Sequence, residues 1–134
     1  MNPEHTVQFT DSLGRCLAKP AFLTKFYRRF IGSSDEIAEK FRGTNMEKQK
    51  AALSASLYLT MLVVDGGDAA MLYLETVAQR HNRKRLDVRP ELYDTWLDCL
   101  IATVKEYDPM FSAEIEQSWR DTMQFSIDYM SERY

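Results

Sequence analysis

A histidine at the end of an apolar stripe is where this chain's chemistry is concentrated. Met71, Leu74, Ala78 and His81 are spaced by three, four and three residues, which puts them on one face of a helix. An imidazole closing such a stripe stands where the ligand of a buried metal cofactor would stand. A lone histidine on such a face is more often a satisfied core or surface residue. Arg80, Arg83, Lys84 and Arg85 cluster around it. These cations can offset the negative end of a helix dipole as a solvated face, pair with the carboxylates of a bound group, or contact nucleic acid. Nucleic acid ranks last, because the chain is acidic overall and the cluster has no interleaved aromatics.

The elements that must position these residues are bounded by length and composition. With 134 residues, 28% charged, 45% hydrophobic and a net charge of −3, the chain is expected to form one domain, residues 1–134, around a single core. Cys16 and Cys99 lack a second thiol at metal-ligand spacing, and no charged-then-apolar leader precedes Phe9, which points to a reducing cytoplasm. The longest apolar run is stopped by Asp65 and Gly66-Gly67, short of the ~20 residues that span a bilayer. No membrane role is expected.

Helical periodicity runs through the whole chain, and no stretch alternates as a strand would. A first helix is expected from about Pro3 to Leu17, carrying Val7, Phe9, Leu13 and Leu17 at mixed but mostly helical spacing. Pro20 opens a second with a wide apolar face of Phe22, Leu23, Phe26, Tyr27, Phe30 and Ile31. Ser33 or Ser34 caps a short helix bearing Ile37 and Phe41, with Asp35 and Glu36 in its first turn. After the corner Gly43-Thr44-Asn45, Asn45 caps a helix from Met46 to Val64. There Gln49, Leu53, Leu57 and Met61 recur every four residues beside the small Ala52 and Ser56, where something presses close. Asp68 is expected to cap the His81 helix. Pro90 opens a helix through Leu92, Trp96, Leu97, Leu100, Ile101 and Val104, ended by Asp108-Pro109. Ser112 caps the last helix, whose core face is Ile115, Trp119, Met123, Ile127 and Met130. The fold class is all-α.

Seven or so unequal helices with short corners, carrying Phe26-Tyr27, Phe41, the corner Phe41-Arg42-Gly43-Thr44-Asn45-Met46-Glu47-Lys48-Gln49, His81 and Pro90-Glu91-Leu92-Tyr93, resemble a globin. The corner is similar to that of bacterial truncated haemoglobins, and the long first and last helices to single-domain bacterial globins and the globin part of flavohaemoglobins. The resemblance implies a globin fold of about six to eight helices around haem b. It makes His81 the proximal iron ligand, its other ring N–H bonded to a carbonyl one turn earlier such as that of Val77. Phe41 stacks on the porphyrin, and Leu53, Leu57, Val77, Val88, Tyr93 and Leu97 complete the wall, each also explicable as plain core. Arg80 and Arg85 face the propionates. On the opposite side, Tyr27 and Gln49, with Leu53 one turn on, are expected to donate hydrogen bonds to O₂.

Two departures accompany the match. The segment from His81 to Pro90 is longer than in the flavohaemoglobin-like pattern. Tyr93 matches a tyrosine that polarises the proximal imidazole there, but Tyr134 falls where its glutamate partner belongs and Glu132 is out of register. The function expected is reversible binding of O₂, NO and CO for oxygen binding, transport or sensing. An alternative is NO dioxygenation, which requires a separate reductase because the chain has no dinucleotide fingerprint. A further alternative is a haem-free regulatory globin fold, against which His81 and Phe41 together argue.

Overall fold

The computed structural model describes residues 3–64 and 67–134. Seven helices make it up: α1 (Pro3–Leu17), α2 (Ala21–Ile31), α3 (Asp35–Lys40), α4 (Met46–Val64), α5 (Asp68–His81), α6 (Pro90–Tyr107) and α7 (Ala113–Glu132). No strand occurs among the described residues. The side chain of Met61 and the breaker residues Asp65 and Gly66 lie outside them.

The helix starts follow local hydrogen-bond chemistry. The Ser34 hydroxyl accepts the Ile37 N–H at 3.2 Å, the Asn45 side-chain oxygen accepts the Glu47 and Lys48 N–H groups at 3.1 and 3.2 Å, and the Ser112 hydroxyl accepts the Ile115 N–H at 3.2 Å. Pro90 occupies the first turn of α6, where a missing N–H costs nothing. One expected cap is corrected. Asp68 is the first residue inside α5, and Gly67 holds the cap position without a side-chain bond. The Asp68 carboxylate acts there through the helix dipole instead.

The core has two unequal parts. At one end α1 lies along α7, and α2 along α6. Phe9 and Trp119, both fully buried, meet edge to face at 4.8 Å. The Trp119 indole donates to the Ser12 hydroxyl at 2.9 Å, and Ser12 donates to Asp108 at 2.6 Å. Arg15 adds two bonds to the same carboxylate, at 2.7 and 3.0 Å, and the Met110 N–H another at 2.9 Å. Burial alone would raise the Asp108 pKa, but these donors overcome it and hold the carboxyl below its ordinary value. A buried polar chain thus ties α1, the end of α6 and α7 together with its partners satisfied. At the other end α4 and α5 pack on each other and on α7, and between them and α2, α3 and α6 the molecule is hollow.

Candidate functional site

The hollow is a cavity of about 590 Å³. Its aromatic wall includes Tyr27 and Phe30 of α2, Phe41 just past α3, Tyr73 of α5, and Tyr93 and Trp96 of α6. Phe41 contacts the rings of Tyr27 and Phe30 edge-on at 5.7 and 5.9 Å. Leu53 and Leu57 come from α4, Val77 from α5, and Val88 from the loop between α5 and α6. Of the expected wall residues, Leu97 alone is not on the cavity. It is buried in the main core at 5% exposure. The reason is helical rotation: Leu92, Tyr93 and Trp96 share the cavity side of α6, and the next residue turns about 100° away.

His81, the last residue of α5, is half-buried on the cavity wall. Its Nδ1 lies 2.7 Å from the Val77 carbonyl one turn earlier. A carbonyl can only accept, so Nδ1 carries the proton and Nε2 keeps its lone pair. Nε2 has no protein partner among the described residues. Burial, assisted by the Arg80 charge and opposed by the Val77 bond, holds the imidazole pKa below its ordinary value and keeps the ring neutral at pH 7.

The same cavity is lined by a phenol and an amide. Tyr27 is 4% exposed, and its hydroxyl accepts the Gln49 side-chain N–H at 3.2 Å. Burial pushes the phenol up to about 12, although the Gln49 bond pulls it down. Because the Tyr27 oxygen accepts this bond, its own proton is free to be donated to something else in the cavity.

Lys40, Arg80 and Arg85 stand on the cavity rim, with Leu86 exposed beside them. Lys40, which periodicity alone leaves on a solvated helix, donates to the Leu86 and Asp87 carbonyls at 3.1 and 2.9 Å and so clips the loop to α3. The basic cluster divides. The Arg83 N–H donates to the Tyr134 carbonyl at 3.1 Å, and its guanidinium lies 4.8 Å from the Tyr134 ring centre, whereas Arg80, Lys84 and Arg85 have no ion pair among the described residues. The long loop is bent at Asp87, whose φ of 51° is left-handed for a residue with a side chain. The Tyr134 hydroxyl donates to the Asp87 carboxylate, and the Asp87 N–H to the Asn82 carbonyl at 2.8 Å.

Tyr93 reaches the cavity wall, 7% exposed, with its pKa pushed up to about 12 by burial. Its hydroxyl has no partner among the described residues. Glu132 pairs with Arg133 at 3.8 Å, and Tyr134 is engaged by Asp87, so neither joins Tyr93 and His81 in a polarising relay.

Residues that sequence reasoning did not assign to the site include Trp96 and Phe30, read as ordinary core, and a hydroxyl pair at its far end. The Ser56 and Tyr73 oxygens are 2.6 Å apart. Tyr73 is what presses against the small residues of α4, and that smallness was the available signal.

The family model described as Globin matches residues 11–130. The fold also matches the crystal structure of a protein from Pseudomonas aeruginosa PAO1 described as structurally highly homologous to a human hemoglobin. The TM-score is 0.92 and the identity 37%, over 97% of this chain and 98% of that one. A search of curated proteins gives no match. A family match over nearly the whole chain, on a seven-helix fold that holds this cavity, means that the chain belongs to the globin family and is of the bacterial kind.

Proposed function

We propose that the cavity holds haem b and that the protein reversibly binds O₂, with NO and CO as further ligands. The observation that carries this reading is that one cavity is lined both by a neutral imidazole whose Nε2 is open and by a hydrogen-bonded phenol–amide pair with a proton to give. The fit to haem rests on three features of the slot. Its volume of about 590 Å³ lies within the ~300–1,000 Å³ of cofactor pockets. Its aromatic wall suits a flat apolar ring, and the rim cations Arg80 and Arg85 suit two carboxylates at the ring's edge. Among the described residues no three His, Cys, Asp or Glu side chains gather as a metal site, so an iron held by His81 must bring its remaining ligands with it, as a tetrapyrrole does.

When bound, haem would supply an iron able to take up a diatomic gas. His81, oriented by Val77, would hold the iron. Phe41 would stack on the ring, and Leu53, Leu57, Val77 and Val88 would exclude water. Tyr27 would donate its free proton to the negative end of O₂, with Gln49 fixing the phenol's rotation. The test is His81→Gly: it should lose haem, or retain a form whose Soret band and ligand kinetics are restored by added imidazole, while His5→Ala leaves both unchanged. A His81→Gly protein with wild-type spectrum and kinetics would refute the assignment.

The uncompensated cations at the rim support a second reading, NO dioxygenation. In that reaction O₂ and NO would combine to nitrate, and a separate reductase would supply one electron per turnover. The rim would receive an acidic donor. Repeated turnover distinguishes the two readings, because single-turnover nitrate formation is common to oxy-globins.

A further inference from the structure

The polar atoms of the cavity wall are sorted by position. The cations are gathered around His81 and the loop that follows it. Tyr73 precedes His81 by eight residues, about 12 Å along α5, and Ser56 follows Gln49 by seven, about 10 Å along α4. The Ser56–Tyr73 pair therefore bridges α4 and α5 at the end of the slot remote from the cations.

Two hydroxyls 2.6 Å apart share one hydrogen bond, which leaves the second O–H and lone pairs on both oxygens for other partners. Thr60 is turned away from them, since its hydroxyl donates to the Ser56 carbonyl at 2.8 Å. Ser126, on the cavity wall from α7, has no side-chain partner among the described residues. Both Ser56 and Tyr73 are partly buried, so an apolar group pressed against them excludes water and leaves the spare donor unmatched. A hydroxyl or carbonyl group placed there satisfies it.

We propose that this inner end is a hydrogen-bonding subsite for substituents on the edge of the cofactor opposite its carboxylates. The pocket then favours tetrapyrroles bearing hydroxyl or carbonyl groups on that edge over those bearing hydrocarbon groups. The proposal rests on the haem reading above, with the carboxylates of the ring at Arg80 and Arg85. It adds a basis for choosing between haems of one size and shape, set by Ser56 and Tyr73.

The test compares iron mesoporphyrin, with two ethyl groups on that edge, and iron haematoporphyrin, with two hydroxyethyl groups. The measurement is the rate at which each leaves the protein for an excess of a haem-scavenging apoprotein. The ratio of the two rates in the wild type is set against that in the double variant Tyr73→Phe with Ser56→Ala, so the different solubilities of the porphyrins cancel. Either hydroxyl alone keeps a donor, and the double variant, which removes both, should shift the ratio by about five- to ten-fold against haematoporphyrin. Should it not fold, Tyr73→Phe with Ser56→Cys, which keeps the side-chain volume and leaves only a weak S–H donor, decides in its place. A ratio unchanged by the substitutions, with both porphyrins bound, overturns this inference and leaves the haem reading standing. If neither porphyrin binds the wild type, the haem reading falls and the inference with it.

Discussion

Replacing Tyr27 by Phe removes one oxygen atom from a wall that otherwise keeps its shape. In the structure that oxygen accepts the Gln49 N–H at 3.2 Å and has a proton to give. A hydrogen bond to a partly charged acceptor in a dry site contributes roughly 1.5–3 kcal/mol. Losing it also frees the Gln49 amide, which can swing to the ligand and recover about 1 kcal/mol. The net loss is then about 0.5–2 kcal/mol, equivalent to a roughly two- to thirty-fold rise in the O₂ dissociation rate. CO carries less negative charge when bound and should be released at nearly the wild-type rate. Stopped-flow release of both gases from wild type, Tyr27→Phe, Gln49→Leu and the double variant measures each contribution. The double variant should release O₂ faster than Tyr27→Phe does, because no amide remains to compensate. Equal, small effects on both gases would show that neither side chain reaches the ligand. A larger effect from Gln49→Leu than from Tyr27→Phe would reverse the roles assigned here.

Three further outcomes are expected. The His81 pKa is depressed in the folded protein, so the unfolded chain takes up a proton near pH 6.5 before the folded one does, and His81 stabilises the protein above that pH and loses this contribution as pH falls through it. Denaturation midpoints of the haem-free protein at pH 7.5 and 5.5 should therefore differ less for His81→Gln than for wild type. Asp108→Ala leaves Ser12, Arg15 and the Met110 N–H without their acceptor and should cost about 3 kcal/mol in urea titrations, with no change in gas-release rates once the protein is folded. Lys84→Glu with Arg85→Glu should slow reduction of the ferric protein by a flavoprotein reductase about ten-fold at low salt, and less at higher ionic strength. Arg83 is a poorer choice for that experiment, because the structure commits it to Tyr134.

How much of the molecule can be read from sequence depends on the distance over which each signal acts. The starts of α3, α4 and α7 are legible because Ser34, Asn45 and Ser112 act on N–H groups within three residues. The His81–Val77 bond is legible for the same reason, being one helical turn. Asp68 misleads because a carboxylate favours the cap and the first turn alike. Leu97 misleads because periodicity gives a helix's apolar arc and not which edge of that arc meets a cavity. Lys40 and Tyr134 reach the loop across long stretches of chain, and Ser56 meets Tyr73 across two helices, so neither leaves a periodic trace. The rest of the site became readable only through resemblance to a family, since Tyr27, Gln49 and Phe41 are individually unremarkable in an apolar helical pattern.

The buried chain from Trp119 through Ser12 to Asp108 and Arg15 has a bearing on how the protein is assembled in a cell. It fastens α1, α6 and α7 at the solid end of the molecule using only groups the chain itself provides. The solid end thus holds α1, α6 and α7 together without help from a bound group, and on the haem reading proposed above the filling of the slot would stabilise the hollow half by mass action. On that reading a newly made copy would be a receptive intermediate rather than an unfolded chain, and the supply of tetrapyrrole, more than the rate of synthesis, would set how many finished molecules survive proteolysis.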